Sequence, residues 1–339
     1  MLRFKPPTVA LKVPFSRAHR QTEELLAEIK KYYSRSKRGE LSVREKLRLM
    51  MAQGEMSRRL IVTEITADPT NDRFIAQMAG KDVVHKLGAE TPNDLREMRL
   101  SDHRQTKTAY ALVDPISREV FAAIYVYRSD SPKRKGMDLE DWLPGHVGKI
   151  LKEMPRKTTG TPNAYVFYSI SRFNKMDGEG EMLIEKLHEK LNEDIALRYP
   201  TVRQDEIIFS TLSPFRTFEN WIGHQEGLDL GGEGALLTAA YNYITSDQSD
   251  LPKDARDLVR RFHMTNGAKL LSIREAANDE DSLDSRDGRN VMVHYGYPRN
   301  RRELSKNASK FGKGKIVVDP ALEARINAMQ HPASALKIA

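Results

Sequence analysis

The sequence predicts an α/β protein whose core is a mixed β-sheet flanked by helices. Residues 164–170 (AYVFYSI) and 206–212 (EIIFSTL) are dense apolar runs, typical of buried strands. Between them, residues 181–198 repeat apolar side chains at helical spacing, and Pro200 ends the helix. A strand, a helix and a strand at this spacing form a parallel crossover connection in nearly all proteins. The sheet is therefore expected to contain a parallel pair.

A β-hairpin supplies an antiparallel part of the predicted sheet. Residues 108–113 and 120–127 are strand-like, and the sequence Asp114-Pro-Ile-Ser117 between them is typical of a turn. A last short strand is predicted over residues 291–297. The sheet is therefore expected to combine parallel and antiparallel pairs.

Helices are predicted both before and after these strands in the sequence. Ser42 and Glu45 stand at the positions of a capping box, which indicates a helix start. Gly267 follows a helical segment and suits the left-handed conformation that often ends a helix. The predicted helices at the two ends of the chain span residues 22–33, 42–56, 234–245 and 255–266.

The composition excludes several kinds of site. The chain has 339 residues, with 39% hydrophobic and 30% charged residues, which is typical of a globular protein with a substantial core. It has no cysteine, so disulfides, thiolate metal ligands and cysteine nucleophiles are excluded. Its histidines show no metal-ligand spacing, and we predict no metal. Because no secretion signal or membrane-length apolar run occurs, we expect a cytoplasmic protein without a membrane partner.

The net charge of +8 indicates an anionic partner. Nucleic acid and the phosphates of a CoA thioester both fit this charge. Aromatic residues make up only 7% of the chain and no nucleic-acid-binding motif occurs, so we predict no nucleic-acid partner. Residues 299–315 contain seven of the basic side chains, which either contact a CoA phosphate or are solvated.

Three places in the sequence are candidates for chemistry, and each also has a purely structural explanation. Gly178-Glu179-Gly180 precedes a helix and either approaches a phosphate or forms a tight turn. Ser213 follows the second strand of the crossover, where open α/β sheets gather ligands, or it caps the end of that strand. His263 lies in a predicted helix, where a single histidine is more often structural than catalytic.

Several short motifs, in the same order along the chain, resemble the malonyl-CoA decarboxylase family. The resemblance extends over roughly residues 58–298. It implies a fold like that of the GCN5-related N-acetyltransferases, and it divides the chain into a short helical region (1–57), a catalytic domain (58–298) and a basic tail (299–339). The motifs are L-I-V-T-E-I-T-A-D from Leu60, Y-S-I-S from Tyr168, S-T-L-S-P from Ser210, F-H-M-T-N-G-A from Phe262 and M-V-H-Y from Met292.

The same resemblance implies roles for individual residues. Ser213 falls on the active serine of the family, His263 on its histidine and Ser169 on the serine that opens S-I-S. A glutamate at the start of the pyrophosphate-binding helix falls on Glu179 or Glu181. The predicted catalytic residues are Ser213, His263 and Ser169, and the predicted substrate-binding residues are Gly178, Glu179, Gly180, Glu181, Arg216, Asn266 and His294.

The resemblance implies an enzyme that converts a malonyl-type CoA thioester into an acetyl-type CoA and CO2. No cofactor is expected, because the thioester itself accepts the electrons, and a homo-oligomer is possible. The sequence departs from the family in the loop 172–177, in the cation Arg216 and in His294, which replaces an asparagine. These differences leave open a CoA-dependent acyltransferase acting on an amine, or a protein that binds acyl-CoA without catalysis.

Overall fold

A computed structural model describes residues 15–37, 39–79, 91–100, 106–129, 161–173, 179–203, 207–225, 227–228, 230, 234–275 and 291–330. Within these residues, no helix combines the length and the apolar character that crossing a membrane requires.

The described strands form one mixed sheet. The strands are β1 (Ile61–Ile65), β2 (Lys107–Val113), β3 (Val120–Ser129), β4 (Ala164–Arg172), β5 (Ile208–Thr211), β6 (Ser213–Pro214), β7 (Lys269–Glu275) and β8 (Val291–Tyr297). Neighbouring strands run in the order β1-β2-β3-β4-β5-β8-β6, and β7 pairs with the other edge of β8. The pair β4 and β5 is parallel and the other described pairs are antiparallel, which confirms the predicted mixed sheet with flanking helices.

Helices cover the sheet, and the helices predicted from the sequence pattern are mostly found at the expected positions. The predicted capping box is present, because Ser42 and Glu45 each accept the backbone N–H of the other. The helices are α1 (Phe15–Lys37), α2 (Val43–Arg59), α3 (Asp72–Met78), α4 (Pro92–Arg99), α5 (Glu179–Arg198), α6 (Arg216–Gly223), α7 (Ala235–Thr245), α8 (Leu258–Thr265), α9 (Arg301–Phe311) and α10 (Pro320–Gln330).

Both faces of the sheet are buried, which explains why its central strands read as continuous apolar runs. One core contains Ile29 of α1 and Met56 of α2 together with Tyr110 of β2. The other core contains Ile75 of α3 and Leu95 of α4. Because the first two helices share a core with the sheet, the region predicted as residues 1–57 packs as part of the same body in its described portion.

The predicted basic tail is folded in its described part. Residues 299–339 were expected to be a tail because their charged side chains are so numerous, but α9 and α10 lie within this range. Leu322 and Ile326 of α10 are buried in the core, and Asn307 of α9 is also buried. The basic residues occupy the outer surface of α9, so high charge was mistaken for lack of structure. The boundaries at residues 57 and 298 remain predictions.

Candidate functional site

Ser213 lies where the chain leaves the parallel pair of strands. Strands β4 and β5 pair only as far as Phe167 and Thr211, and the amide of Leu212 then donates to the carbonyl oxygen of Phe167 at 2.9 Å. The chain next pairs with β8, with Ser213 opposite Val293. This is the carboxyl end of the parallel strands, the edge at which open α/β sheets bind ligands. Ser213 itself is buried there.

His263 is carried by α8, and the start of that helix is fixed by a buried carboxylate. Asp257 accepts the amide hydrogens of Val259 and Arg260 at 2.8 and 3.0 Å, which satisfies two of the free donors at the helix N-terminus. The guanidinium of Arg260 in turn donates to the carbonyl oxygen of Ile244 at the end of α7 at 2.6 Å. These contacts hold α8 against α7.

Helix α8 ends in a Schellman motif shortly after His263. Gly267 has a φ of +81°, and the amide of Ala268 donates to the carbonyl oxygen of His263 at 3.1 Å. A Cβ at position 267 would lie 2.3 Å from the carbonyl oxygen of Leu304 in α9. The predicted left-handed helix end is therefore confirmed, and it fixes the position of His263 relative to β7.

The structure brings Ser213 and His263 into direct contact. The Oγ of Ser213 lies 3.1 Å from Nε2 of His263, and Nδ1 of His263 lies 2.8 Å from the hydroxyl oxygen of Tyr297. The imidazole also stacks on the ring of Tyr295, with 4.5 Å between the ring centres. His263 is therefore held at both nitrogens and across one face.

We assign one tautomer to His263 from its hydrogen bonds. Burial raises the pKa of the Tyr297 phenol, so the phenol keeps its proton, and we assign this phenol as the donor to Nδ1. The proton of the neutral imidazole is then on Nε2 and points at the Oγ of Ser213. The Ser213 hydroxyl donates onward to Oγ1 of Thr211 at 3.4 Å. With this assignment, the Nε2–H group of His263 is the hydrogen-bond donor that faces Ser213.

Burial also decides the charge of His263. It lowers the pKa of the imidazole to about 3, because the charged form would lose its hydration inside the protein. At neutral pH His263 is therefore neutral in the unliganded protein. Any proton that it supplies from this state comes from an uncharged N–H group.

The other predicted site residues lie at more scattered positions. Ser169 is buried on β4, opposite Tyr125 of β3, and its catalytic role remains a prediction. His294 is fully buried on β8, with Nδ1 3.1 Å from the Oγ of Ser210. The side-chain amide of Asn266 donates to the carbonyl oxygen of Phe262 at 2.8 Å, which gives this residue a helix-capping contact. The side chain of Arg216 lies outside the described residues, and the backbone of this residue begins α6.

The predicted phosphate cradle has a structural explanation in its described part. Gly178 lies outside the described residues, whereas Glu179 and Gly180 are buried and Glu181 is exposed in the first turn of α5. A Cβ on Gly180 would lie 2.9 Å from Cε2 of Phe262, the neighbour of His263. Glycine at this position lets α5 pack closely against Phe262 of α8, and a pyrophosphate role remains a prediction.

Two residues of the network were not identified from the sequence. Thr211 lies inside the quoted S-T-L-S-P motif but was given no role, and Tyr297 lies in a predicted strand outside the quoted motifs. A signal was present, because alternate residues of a strand share a face and Tyr297 follows Tyr295 by two positions. Tyr295 also contributes its amide, which donates to Oγ1 of Thr211 at 3.2 Å.

Comparisons with known proteins bear on the family resemblance and on the fold. Residues 231–336 match the family model described as the malonyl-CoA decarboxylase C-terminal domain. The resemblance to malonyl-CoA decarboxylase is confirmed. The matched segment contains His263 and Tyr297 but begins after Ser213. No curated protein sequence matches the chain significantly.

Solved malonyl-CoA decarboxylases share the fold. The enzyme from Agrobacterium vitis is similar with a TM-score of 0.60 and 20% identity, over 91% of this chain and 75% of that chain. The Rhodopseudomonas palustris enzyme has a TM-score of 0.60 and 20% identity over 89% and 75%. The Cupriavidus metallidurans enzyme has a TM-score of 0.52 and 20% identity over 89% and 76%.

We expect Gly180→Ala to destabilise the protein by about 1–3 kcal/mol, because the added methyl group forces the Phe262 ring to move. The matched control is Gly54→Ala in α2, where a Cβ meets nothing within 4 Å. That change should stabilise the protein by up to about 1 kcal/mol through helix propensity. Urea unfolding measures both. Equal effects of the two substitutions would show that the contact with Phe262 is unimportant.

We expect the free energy of unfolding to fall by about 2 kcal/mol between pH 7 and pH 5 because of His263 alone. The sign follows from the lowered pKa, because the unfolded chain takes up a proton near pH 6.5 while the folded protein does so only near pH 3. Stability is therefore lost as the pH falls through this window. Urea unfolding of the wild type and of His263→Gln at both pH values isolates the contribution, and parallel losses in the two proteins would contradict it.

Proposed function

We propose that the chain removes CO2 from a malonyl-type CoA thioester and leaves an acetyl-type CoA. The observation that carries the proposal is the 3.1 Å contact between Ser213 and His263 at the carboxyl end of the parallel strands. The family-model match over the segment containing His263 supports the reaction class. The acyl group and the reaction itself are parts of this proposal.

In the proposed reaction the bond between the substrate's α-carbon and its carboxylate breaks. The electron pair of that bond enters the thioester as an enolate, and CO2 leaves. Ser213 would turn its hydroxyl hydrogen from Thr211 to the carboxylate and orient it, with Ser169 in support. Preorganised donors of this kind are typically worth about 3–4 kcal/mol each. The thioester accepts the electrons, so the proposal requires no cofactor.

The enolate must then take up a proton at carbon. Nε2–H of His263 faces Ser213 and is the donor that the assigned tautomer provides. A thioester enolate is a strong base and accepts a proton from a neutral N–H group. One proton is consumed in each turnover, so solvent must restore it to His263 before the next one. General acid catalysis of this kind contributes about 10²–10⁴-fold to the rate.

Incubation of the pure protein with malonyl-CoA and methylmalonyl-CoA, followed by mass spectrometry, tests the proposal. We expect acetyl-CoA or propionyl-CoA with CO2. Ser213→Ala and His263→Ala should each reduce kcat by about 10²-fold or more. Wild-type turnover by both variants would refute the assignment. Release of free CoA that requires an added amine would indicate acyl transfer instead.

We expect Tyr297→Phe to lower kcat by at least about tenfold with little change in KM. Without the phenol, the imidazole proton can move to Nδ1, and Nε2 then presents a lone pair to the substrate. Steady-state kinetics with the substrate identified above measure the effect. Tyr243→Phe is the control, since that phenol donates to the carbonyl oxygen of Ala255 and is hydrogen bonded to the Thr217 hydroxyl, and neither bond involves His263. An unchanged kcat in Tyr297→Phe would contradict the tautomer.

We expect kcat/KM to show no ionisation of His263 near pH 6.5. The pH profile of kcat/KM reports groups of the free enzyme, and burial lowers the pKa of this imidazole to about 3. The rate should therefore stay constant with respect to this group between pH 5 and pH 8. An ionisation near pH 6.5 in the wild type that is missing from His263→Gln would contradict a neutral donor.

A further inference from the structure

Helix α2 presents an apolar stripe to solvent. Val43, Leu47, Met50 and Met51 are 84%, 57%, 67% and 66% exposed. Their spacing places them on one face of the helix. They are four of the nine large apolar side chains that are exposed among the described residues, so exposure of this kind is concentrated on one helix.

The core does not explain this stripe. The opposite face of α2 carries Leu49, Ala52 and Met56, which are buried against the protein. That inner face is sufficient to hold the helix in the fold. A contiguous patch of exposed apolar side chains on the surface of a protein often marks an interaction surface, whereas single exposed apolar residues do not.

Basic side chains border the stripe. Arg44 and Arg48 follow one edge of it, Lys46 lies on the other edge, and all three are exposed. The two acidic residues of α2 are already engaged, because Arg35 binds Glu45 and Arg59 binds Glu55, each at 2.6 Å. The charges of α2 beside the stripe are therefore net positive, which suits a partner that is anionic as well as apolar.

The charge argues against a second copy of this chain on the stripe. Two copies that met through this stripe would bring its basic border against an equally basic border, around only four apolar side chains in each. The stripe also contains no aromatic residue, and aromatic side chains are the usual anchors of protein interfaces. An apolar layer that adapts to the shape of the helix and carries anionic groups at its surface fits both the basic border and the absence of aromatic residues.

We propose that α2 adsorbs to the surface of an anionic lipid bilayer. Val43, Leu47, Met50 and Met51 enter the boundary between headgroups and acyl chains, and the bordering basic residues contact the lipid phosphates. A basic amphipathic helix binds in this way with its axis in the plane of the membrane. The proposal departs from the expectation of no membrane partner and concerns adsorption without a membrane span.

Co-sedimentation of the full chain with lipid vesicles tests the proposal. We expect binding to vesicles of phosphatidylcholine with phosphatidylglycerol at about 0.15 M salt, and little binding to phosphatidylcholine alone, because anionic headgroups attract the basic border. Leu47→Glu and Met50→Glu should each lower the partition constant about tenfold or more, since each puts a charge among the acyl chains. Circular dichroism checks that the variants remain folded.

The matched control is Leu197→Glu. Leu197 is 81% exposed on α5, and its replacement by glutamate changes the net charge by the same amount. This control therefore separates the effect of changing the stripe from the effect of changing the net charge. Retained binding of this control, beside lost binding of the α2 variants, supports the proposal. Equal losses in all three variants, or no binding by the wild type, overturn it. If the wild type does not bind vesicles but forms a dimer that Leu47→Glu dissociates, the proposal is also overturned, in favour of self-association.

Discussion

The candidate site depends on one buried neutral imidazole that is hydrogen bonded at both nitrogens. His263 comes from α8, Ser213 from β6 and Tyr297 from β8, so three distant segments must be correctly placed for these bonds to exist. Burial sets the charge of the ring, and the phenol sets which nitrogen carries the proton. A change in any of the three segments alters the protonation chemistry, even when Ser213 and His263 themselves are unchanged.

The sequence predicted most of the sheet because local periodicity reports it directly. The crossover over residues 164–212 and the hairpin around Asp114 each involve neighbours in the chain, and both are present. The contact between Ser213 and His263 joins positions 50 residues apart, which no local pattern reports. Only the family resemblance brought these two residues together, and Tyr297 was missed because it lay outside the quoted motifs.

Two interpretations of the sequence left out partners that are distant in the chain. Gly180 was predicted to approach a phosphate, which remains a prediction, and a Cβ at this position would lie 2.9 Å from the Phe262 ring, which the local sequence does not reveal. The segment from residue 299 resembled a solvated tail because basic residues dominate its composition. The few residues that fold it, among them Asn307, Leu322 and Ile326, are buried against other elements. In both cases the structure adds a packing contact with residues far away in the sequence, which local composition does not reveal.

The close approach at Gly267 restricts sequence change very unequally on its two sides. The atoms that a side chain at position 267 would strike belong to the backbone of Leu304, and backbone cannot be rotated aside as a flexible side chain can. This contact therefore excludes substitution of the glycine at position 267. It does not restrict substitution at position 304, because the side chain of Leu304 takes no part in it. Related chains that keep this junction should retain the glycine while varying the residue that it touches.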